Sequence, residues 1–243
     1  MAASDPAYPS VWARPRRTER SSLTREQIVT QALQLLDTDG IEALSMRRLA
    51  ARLEAGTTSL YWHVASRDEL IELVIDEVYG ELEVQDAGDT GVWRAATLRF
   101  AHSMRSTTLR HPWVVSVLDH LAAAYLGPNL TQATERMLGV FEAAGFDLPE
   151  AERALNTVTS YVTGVSMGEA AWNNWLARHG QTQQEWLDGA LRVAEEATEG
   201  YERLRTVVAG YEGKDPQKAM DEDFDYGLER VLDGLQTRLD RPS

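Results

Sequence analysis

The chain has 243 residues, of which 43% are hydrophobic and 26% are charged, a composition typical of an ordinary globular protein. It contains no cysteine, which excludes disulfides, thiolate metal sites and cysteine nucleophiles. No run approaches the roughly 18 apolar residues of a membrane span, and the first residues lack the apolar core of a secretion signal. We therefore expect a cytoplasmic protein with no membrane partner.

The net charge of −14 is unevenly distributed along the chain. Residues 1–67 carry nine arginines against seven acidic residues, whereas the remaining residues carry 15 basic and 31 acidic side chains. This asymmetry indicates a DNA-facing front on an acidic body. A basic tail on an acidic protein is the alternative that composition alone leaves open.

The first segment, residues 1–22, mixes proline, serine and arginine without periodicity and predicts a flexible arm. Its four arginines either follow a phosphate backbone or form a solubilising tail. They are Arg14, Arg16, Arg17 and Arg20.

Helix signals begin directly after this arm. Thr24 and Gln27 form a capping box at the start of a first helix, which Gly40 ends. A second helix is predicted from about Ser45 to Leu53, with arginines available outward. A fourth helix is predicted to begin at Ser66, where Ser66 and Glu69 form another capping box.

The third helix is the stretch "TTSLYWHV", residues 57–64. At about 100° per residue, Leu60 and Val64 face the core, and Trp62 points away from it. Tyr61 and His63 flank that outward face. Three short helices with a tight turn between the second and third predict a helix-turn-helix, whose outward face contacts DNA. The alternative is that Trp62 packs on another domain.

Only helices are expected from about residue 92 onward, because no stretch alternates as a strand does. The segment 85–91 breaks the chain, and a long helix is predicted over about 149–179. The last helix carries an apolar seam over residues 224–239, with one apolar residue every three or four positions. The predicted fold class is therefore all-α.

The motifs of enzymes and metal sites are missing from the sequence. It has no phosphate-binding loop, no glycine-rich dinucleotide motif and no Ser-His-Asp pattern. His102, His111 and His120 lie nine residues apart, so no two have the spacing of helical metal ligands. We expect no enzyme activity, no metal and no cofactor.

Two stretches carry a resemblance to a known family. The patterns "ALxLLDxxGIEALSMRRLAxxL" and "SLYWHVxSRDEL", within about residues 23–80, resemble the DNA-binding domain of the TetR family of transcriptional regulators. More weakly, "YVTGVSMGEAAW" (161–172) and "FDYGLERVLDGL" (224–235) resemble the carboxy-terminal domain of the Tet repressor's own subgroup.

The resemblance implies a domain order and a set of DNA contacts. Residues 23–68 would form the DNA-binding domain, with a linking helix to about residue 84, and residues 85–243 the effector-binding and dimerisation domain. The implied DNA contacts are Arg47, Thr57, Thr58, Ser59, Tyr61, Trp62, His63 and Arg67.

The turn before the third helix departs from the family pattern. It usually reads Leu-Gly-Val, whereas here it reads Leu53, Glu54, Ala55, with Gly56 two places after the expected glycine. We therefore expect a shifted turn, with the negative charge of Glu54 close to DNA. Because two threonines replace the glutamine-proline pair of the Tet repressor, a different operator is expected.

For the second domain the resemblance implies a small-molecule pocket and a homodimer. Bulky residues in the region of the family's pocket are candidate effector contacts, although such residues taken singly are more often core: Met104, Trp113, Val117, His120, Met137, Phe141, Met167 and Trp172. Candidate dimer-interface residues, which periodicity alone also explains as core of a single chain, are Val158, Val162, Val165, Phe224, Leu228, Leu232 and Leu235.

Together these features predict a ligand-responsive repressor, released from a palindromic operator when a small molecule of antibiotic-like character binds the second domain. The alternative is an architectural or activating DNA-binding protein without a small-molecule effector. A protein that coats DNA would need broad positive charge, which the acidic body opposes.

Overall fold

A computed structural model describes residues 23–85, 93–117 and 127–240, and these residues contain helices and turns but no strand. The predicted arm at 1–22, most of the predicted break at 85–91, and His120 lie outside these residues. The predicted all-α fold class is confirmed for the described part of the chain. None of its helices is long and apolar enough to cross a membrane.

The described residues form ten α-helices and two short 3-10 segments. The 3-10 segments are Ile41–Ala43 and Pro112–Val117. The α-helices, in chain order, are α1 (Arg25–Asp39), α2 (Met46–Arg52), α3 (Thr57–His63), α4 (Arg67–Tyr79), α5 (Trp93–Arg110), α6 (Pro128–Ala144), α7 (Leu148–His179), α8 (Gln183–Ala197), α9 (Glu202–Ala209) and α10 (Pro216–Leu239).

Side-chain caps fix where the first helices begin. Thr24 accepts a hydrogen bond from the Gln27 N–H, and the Gln27 side chain accepts from the Thr24 N–H, which confirms the predicted capping box. At the start of α4 only half of a capping box forms. Ser66 accepts from the Glu69 N–H as expected, but the Glu69 carboxylate accepts from the Ala65 N–H.

The chain divides into two compact units, residues 1–155 and 156–243. In the first unit, α1 to α4 enclose a core in which Leu49, Leu60 and Val64 are fully buried. The core also includes residues from beyond the linking helix, because Trp113, Val114 and Val117 pack into it. We call residues 23–80 the head and residues 111–117 the joint segment.

In the second unit, α7 and α10 approach closely. The Tyr161 hydroxyl donates to the Phe224 carbonyl at 2.8 Å, and the two rings lie 5.8 Å apart. A Cβ atom on Gly227 would come within 2.2 Å of the Tyr161 hydroxyl oxygen, so only glycine allows this approach. The seam predicted in α10 therefore packs within the chain.

Most of the predicted dimer-interface residues are buried within the single chain. Val158, Val162, Phe224, Leu228 and Leu232 are at most 1% exposed, so a partner chain could not reach them without rearrangement. A helical period in the sequence predicts that a residue is buried, but it does not distinguish burial within one chain from burial against a partner. These five residues fit burial within one chain. Val165 and Leu235 remain half-buried.

Candidate nucleic-acid interface

The outward face of α3 is the most apolar exposed surface of the head. Trp62 is 61% exposed and Tyr61 is 46% exposed, whereas Leu60, on the inner side of the same helix, is fully buried. Thr58 is exposed beside them, and Thr57 and Ser59 are half-buried. The predicted inward and outward sides of α3 are therefore present, apart from His63.

His63 lies at the end of α3 and is only 8% exposed, so the prediction of an outward histidine is wrong. Its backbone carbonyl accepts two hydrogen bonds from the Arg25 guanidinium, at 3.2 and 3.0 Å. Arg25 also lies 3.9 Å from the Glu69 carboxylate. These contacts tie the end of α3 to the start of α1 and α4, which fixes the orientation of α3.

The three arginines of α2 differ in what they contact. Arg48 pairs with Asp39 at 2.8 Å, and Arg52 donates to the Gln31 side chain at 3.1 Å. Arg47 is exposed, and within the described part of the chain it has no hydrogen-bond or ion-pair partner. It therefore presents an uncommitted guanidinium beside α3, the group that binds a guanine edge or a phosphate.

Arg67, in contrast to Arg47, binds backbone carbonyls inside the head. Its guanidinium donates to the carbonyl of Leu44 at 3.0 Å and to that of Ile41 at 3.2 Å. This differs from the phosphate contact that the family resemblance implied. The side chain anchors the start of α4 on the turn before α2 by binding two of its backbone carbonyls.

The turn between α2 and α3 does not shift toward Gly56, so the expected shift is wrong. Glu54, at the place of the usual glycine, adopts φ 52°, whereas Gly56 has φ −73°. The left-handed region costs a side-chain-bearing residue about 1–2 kcal/mol. The turn is thus kept at the expense of backbone strain at Glu54.

The head is joined to α6 through Asp76 in α4. Its carboxylate accepts hydrogen bonds from the backbone N–H groups of Asn129, at 3.1 Å, and Leu130, at 3.2 Å. Gly127, the residue before α6, offers no side-chain oxygen, so Asp76 caps this helix from another element. A Cβ atom on Gly127 would lie 2.1 Å from the Asp76 carboxylate oxygen. Glycine is therefore required where the two helices meet.

Burial raises the pKa of Asp76 above its ordinary value of 3.8, and the neighbouring Glu77 adds to that rise. The hydrogen bonds from Leu130 and Asn129 act in the opposite direction. Removing this carboxylate from water therefore outweighs the favourable donors at the start of α6.

A second connection links the joint segment to α1. The Trp113 indole N–H donates to the Asp37 carboxylate at 2.8 Å. His111, which is 3% exposed, places one ring nitrogen 2.7 Å from Asp37 and the other 3.1 Å from Glu81. Arg110 also pairs with Glu81. A displacement of the joint segment would therefore act on the last part of α1, at Asp37, and on Glu81 just after the head.

The predicted effector residues fall into separate environments. Trp113 and Val117 belong to the core of the head, and Met137 and Phe141 are fully buried in α6. The Phe141 ring lies 6.1 Å from Trp93 and 5.5 Å from Phe146, measured between centroids, in an aromatic cluster.

Three other effector candidates are half-buried: Met104 in α5, and Met167 and Trp172 in α7. The Trp172 ring lies edge-on to Trp186, with the ring centroids 5.4 Å apart. Trp186, in α8, was not predicted, because the sequence of α8 gives no sign of which aromatic neighbours it meets.

Comparisons with known proteins agree with this geometry. Residues 28–74 match the family described as bacterial regulatory proteins, tetR family, and residues 86–239 match the tetracyclin repressor-like C-terminal domain. An HTH-type transcriptional regulator of Saccharopolyspora erythraea is 37% identical over 70% of this chain and 72% of its own length. The HTH-type transcriptional repressor DrrR1 of Streptomyces coeruleorubidus is 33% identical over 92% of this chain and 81% of its own.

Among solved structures, the TetR family protein ActR of Streptomyces coelicolor in complex with actinorhodin superposes with a TM-score of 0.72. It is 29% identical, and the superposition covers 91% of this chain and all of ActR.

A matched pair of substitutions in α3 separates the outward face from the core. We expect Trp62→Ala to lower the affinity for duplexes enriched from a random pool by about tenfold, as for the loss of one good DNA contact. The stability of the fold would change by less than about 0.5 kcal/mol, because the ring is exposed. Leu60→Ala would instead destabilise the fold by about 2–5 kcal/mol. Fluorescence anisotropy measures the DNA affinity, and urea unfolding measures the stability. If Trp62→Ala destabilises the fold as much as Leu60→Ala does, Trp62 has a packing role instead.

The raised pKa of Asp76 predicts a pH effect on stability. Because the folded protein holds this proton more tightly than the unfolded chain, wild-type stability relative to Asp76→Asn falls as the pH rises through the raised pKa. The asparagine variant keeps an oxygen that can accept from α6 but does not titrate. Urea unfolding between about pH 4 and pH 7 checks this prediction. A free energy of unfolding of the wild type that rises with pH relative to that of Asp76→Asn would contradict it.

The alanine variant at the same position tests the cap itself. Asp76→Ala leaves the N–H groups of Asn129 and Leu130 without their acceptor, which costs about 1–3 kcal/mol relative to Asp76→Asn. Equal stability of the two variants at every pH would show that the cap contributes nothing.

Proposed function

Because the chain belongs to the TetR family of bacterial regulatory proteins, we propose that it is a ligand-responsive transcriptional repressor. The head binds operator DNA in the cytoplasm, and a small molecule that binds the carboxy-terminal domain releases it. The DNA-binding part of this proposal is supported by the exposed side chains of Tyr61 and Trp62, which lie on a helix whose inner face is fully buried.

The DNA surface that we propose consists of side chains that the fold leaves accessible. Arg47 supplies a guanidinium without a partner in the described residues, and Thr58, Tyr61 and Trp62 supply hydroxyl groups and aromatic edges. Thr57 and Ser59 complete the start of α3, where helix-turn-helix proteins contact base edges. His63 and Arg67 act indirectly, because their contacts orient α3 and α4.

The ligand-responsive part of the proposal is supported by the contacts that α6 and the joint segment make with the head. Asp76 and Asp37 each accept hydrogen bonds from outside the head, so the position of α1 and α4 depends on these elements. A ligand that displaces them would shift the head between two states, which changes operator affinity. The half-buried Met104, Met167 and Trp172 are the candidate ligand contacts that remain accessible.

The effector class that we propose is an antibiotic-like molecule with several rings. The half-buried Trp172 indole favours a planar ligand, because flat rings stack on or pack edge-on to indoles. The ActR structure with actinorhodin shows that a protein of this fold accommodates a small molecule. A thermal-shift screen of such compounds identifies the effector by the stabilisation that binding produces.

The repressor function is tested by selection of DNA and release of that DNA. The full-length protein is mixed with a pool of random duplexes, and the enriched duplexes are aligned. We expect a palindromic motif with half-sites about one helical turn apart, and dissociation from it on addition of a stabilising compound. Enrichment of no motif at low salt would contradict the proposal, and a motif whose affinity no stabilising compound alters would favour regulation without an effector.

A homodimer would place two heads on such a palindrome, and α7 offers a surface for it. Six residues spaced three or four apart form one exposed, uncharged side of this helix, which we call the α7 stripe: Thr157, Ser160, Gly164, Gly168, Ala171 and Trp175. Solvent-facing sides of helices normally carry charge. A Cβ atom at Gly164 or Gly168 would meet nothing within 4 Å, so a second backbone has room to approach there.

The dimer is tested by adding charge to this stripe. Gly168→Arg should halve the molar mass measured by light scattering while helicity is retained, because the added side chain meets no atom of its own chain. Ala177→Arg, on an exposed side of α7 away from the stripe, is the matched control and should leave the mass of a dimer unchanged. A dimeric Gly168→Arg variant, or a monomeric wild type, would exclude the stripe as the interface.

A further inference from the structure

Glu54 occupies a backbone position that favours glycine. At the end of α2, the Glu54 N–H donates to the Ala51 carbonyl at 3.2 Å and the Ala55 N–H to the Ala50 carbonyl at 3.0 Å. This pair of bonds is the Schellman motif, in which the residue after the C-cap, here Glu54 after Leu53, adopts a positive φ. Glu54 has φ 52° and is the one residue other than glycine with a positive φ in the described part of the chain.

The same motif at the end of α6 uses glycine. There the Gly145 N–H donates to the Glu142 carbonyl at 2.9 Å and the Phe146 N–H to the Phe141 carbonyl at 3.2 Å, with φ 106° at Gly145. Glycine carries no penalty in this conformation, because it has no Cβ atom. The strain at Glu54 is therefore a property of the residue that stands there and not of the motif.

The Glu54 side chain does nothing within the fold that offsets this strain. It is exposed, and among the described residues no group pairs with its carboxylate. It lies between the helix that carries Arg47 and the start of α3, where DNA phosphates would repel a negative charge. Strained residues of this kind persist mainly at functional sites, where the side chain has a specific task.

We propose that Glu54 is a specificity-determining residue, which accepts a hydrogen bond from the exocyclic amine of a base in the major groove. Carboxylates recognise cytosine N4 in this way, and Glu54 stands in the turn three positions before the first residue of α3, whose start we propose contacts base edges. Charge repulsion alone would weaken binding to every sequence equally, so it gives no reason for a carboxylate here. The inference rests on the proposed operator binding by the head.

The test compares the duplexes that the wild type and two variants enrich from one random pool. Glu54→Gln keeps the length and the strained backbone but removes the charge, and Glu54→Gly removes the side chain and the strain together. We expect the wild type to prefer cytosine or adenine at one position in each half-site. Glu54→Gly should lose about tenfold of the discrimination at that position while the rest of the motif persists, whereas Glu54→Gln, whose amide oxygen still accepts from the amine, should lose less.

The outcomes separate this inference from the proposed function. If the wild type enriches no motif, the proposed function fails. If Glu54→Gly enriches the wild-type motif with the same preference at every position, or loses the whole motif while circular dichroism shows it folded, only the role of Glu54 is overturned. Affinity for a non-operator duplex should rise in both variants, because a repulsive charge is removed.

Discussion

The carboxylate of Asp76 is the constraint on which the arrangement of the head depends. It lies within α4, the last helix of the head, yet it caps the start of α6, whose preceding glycine has no side chain for that purpose. The unpaired N–H groups at a helix start favour a negative charge, whereas burial disfavours it, and the raised pKa shows that burial has the larger effect. The connection therefore holds the start of α6 on α4, but the burial of the carboxylate partly opposes it.

The remaining contacts of the head follow the same principle, in which charged side chains bind backbone or polar groups of another element. Arg25 holds the end of α3, Arg67 holds the turn before α2, and Asp37 holds the joint segment. With these side chains engaged inside the protein, the outward side of α3 and Arg47 remain for DNA. The acidic net charge of the chain is compatible with DNA binding, because most exposed groups of this surface are arginine, hydroxyl and aromatic groups.

Local patterns in the sequence predicted the helices well, because caps and apolar spacing act between residues close in the chain. Thr24 with Gln27, the end of α1 at Gly40 and the outward Trp62 all follow from such spacing. The tasks of Arg67 and His63 could not be predicted in this way, because their partners lie 23 to 38 residues away in the sequence.

The turn at Glu54 and the apolar seam of α10 show two further limits of sequence patterns. A missing glycine suggested a different turn, but the hydrogen bonds of the turn are strong enough to hold a glutamate in the left-handed region. The seam residues Phe224, Leu228 and Leu232 were predicted to be covered, and they are, but by the same chain. The uncharged side of α7 carried no apolar period and became visible only when the exposed residues were known.

The central claim is that the DNA-reading head is coupled to α6 through Asp76. Hydrogen–deuterium exchange of the full-length protein, with and without an enriched duplex, tests it directly. The account predicts that the duplex slows exchange in residues 57–63 and also at the backbone amides of Asn129 and Leu130, which donate to Asp76. Protection confined to residues 57–63, with unchanged exchange at those two amides, would show that the head reads DNA independently and would contradict the account.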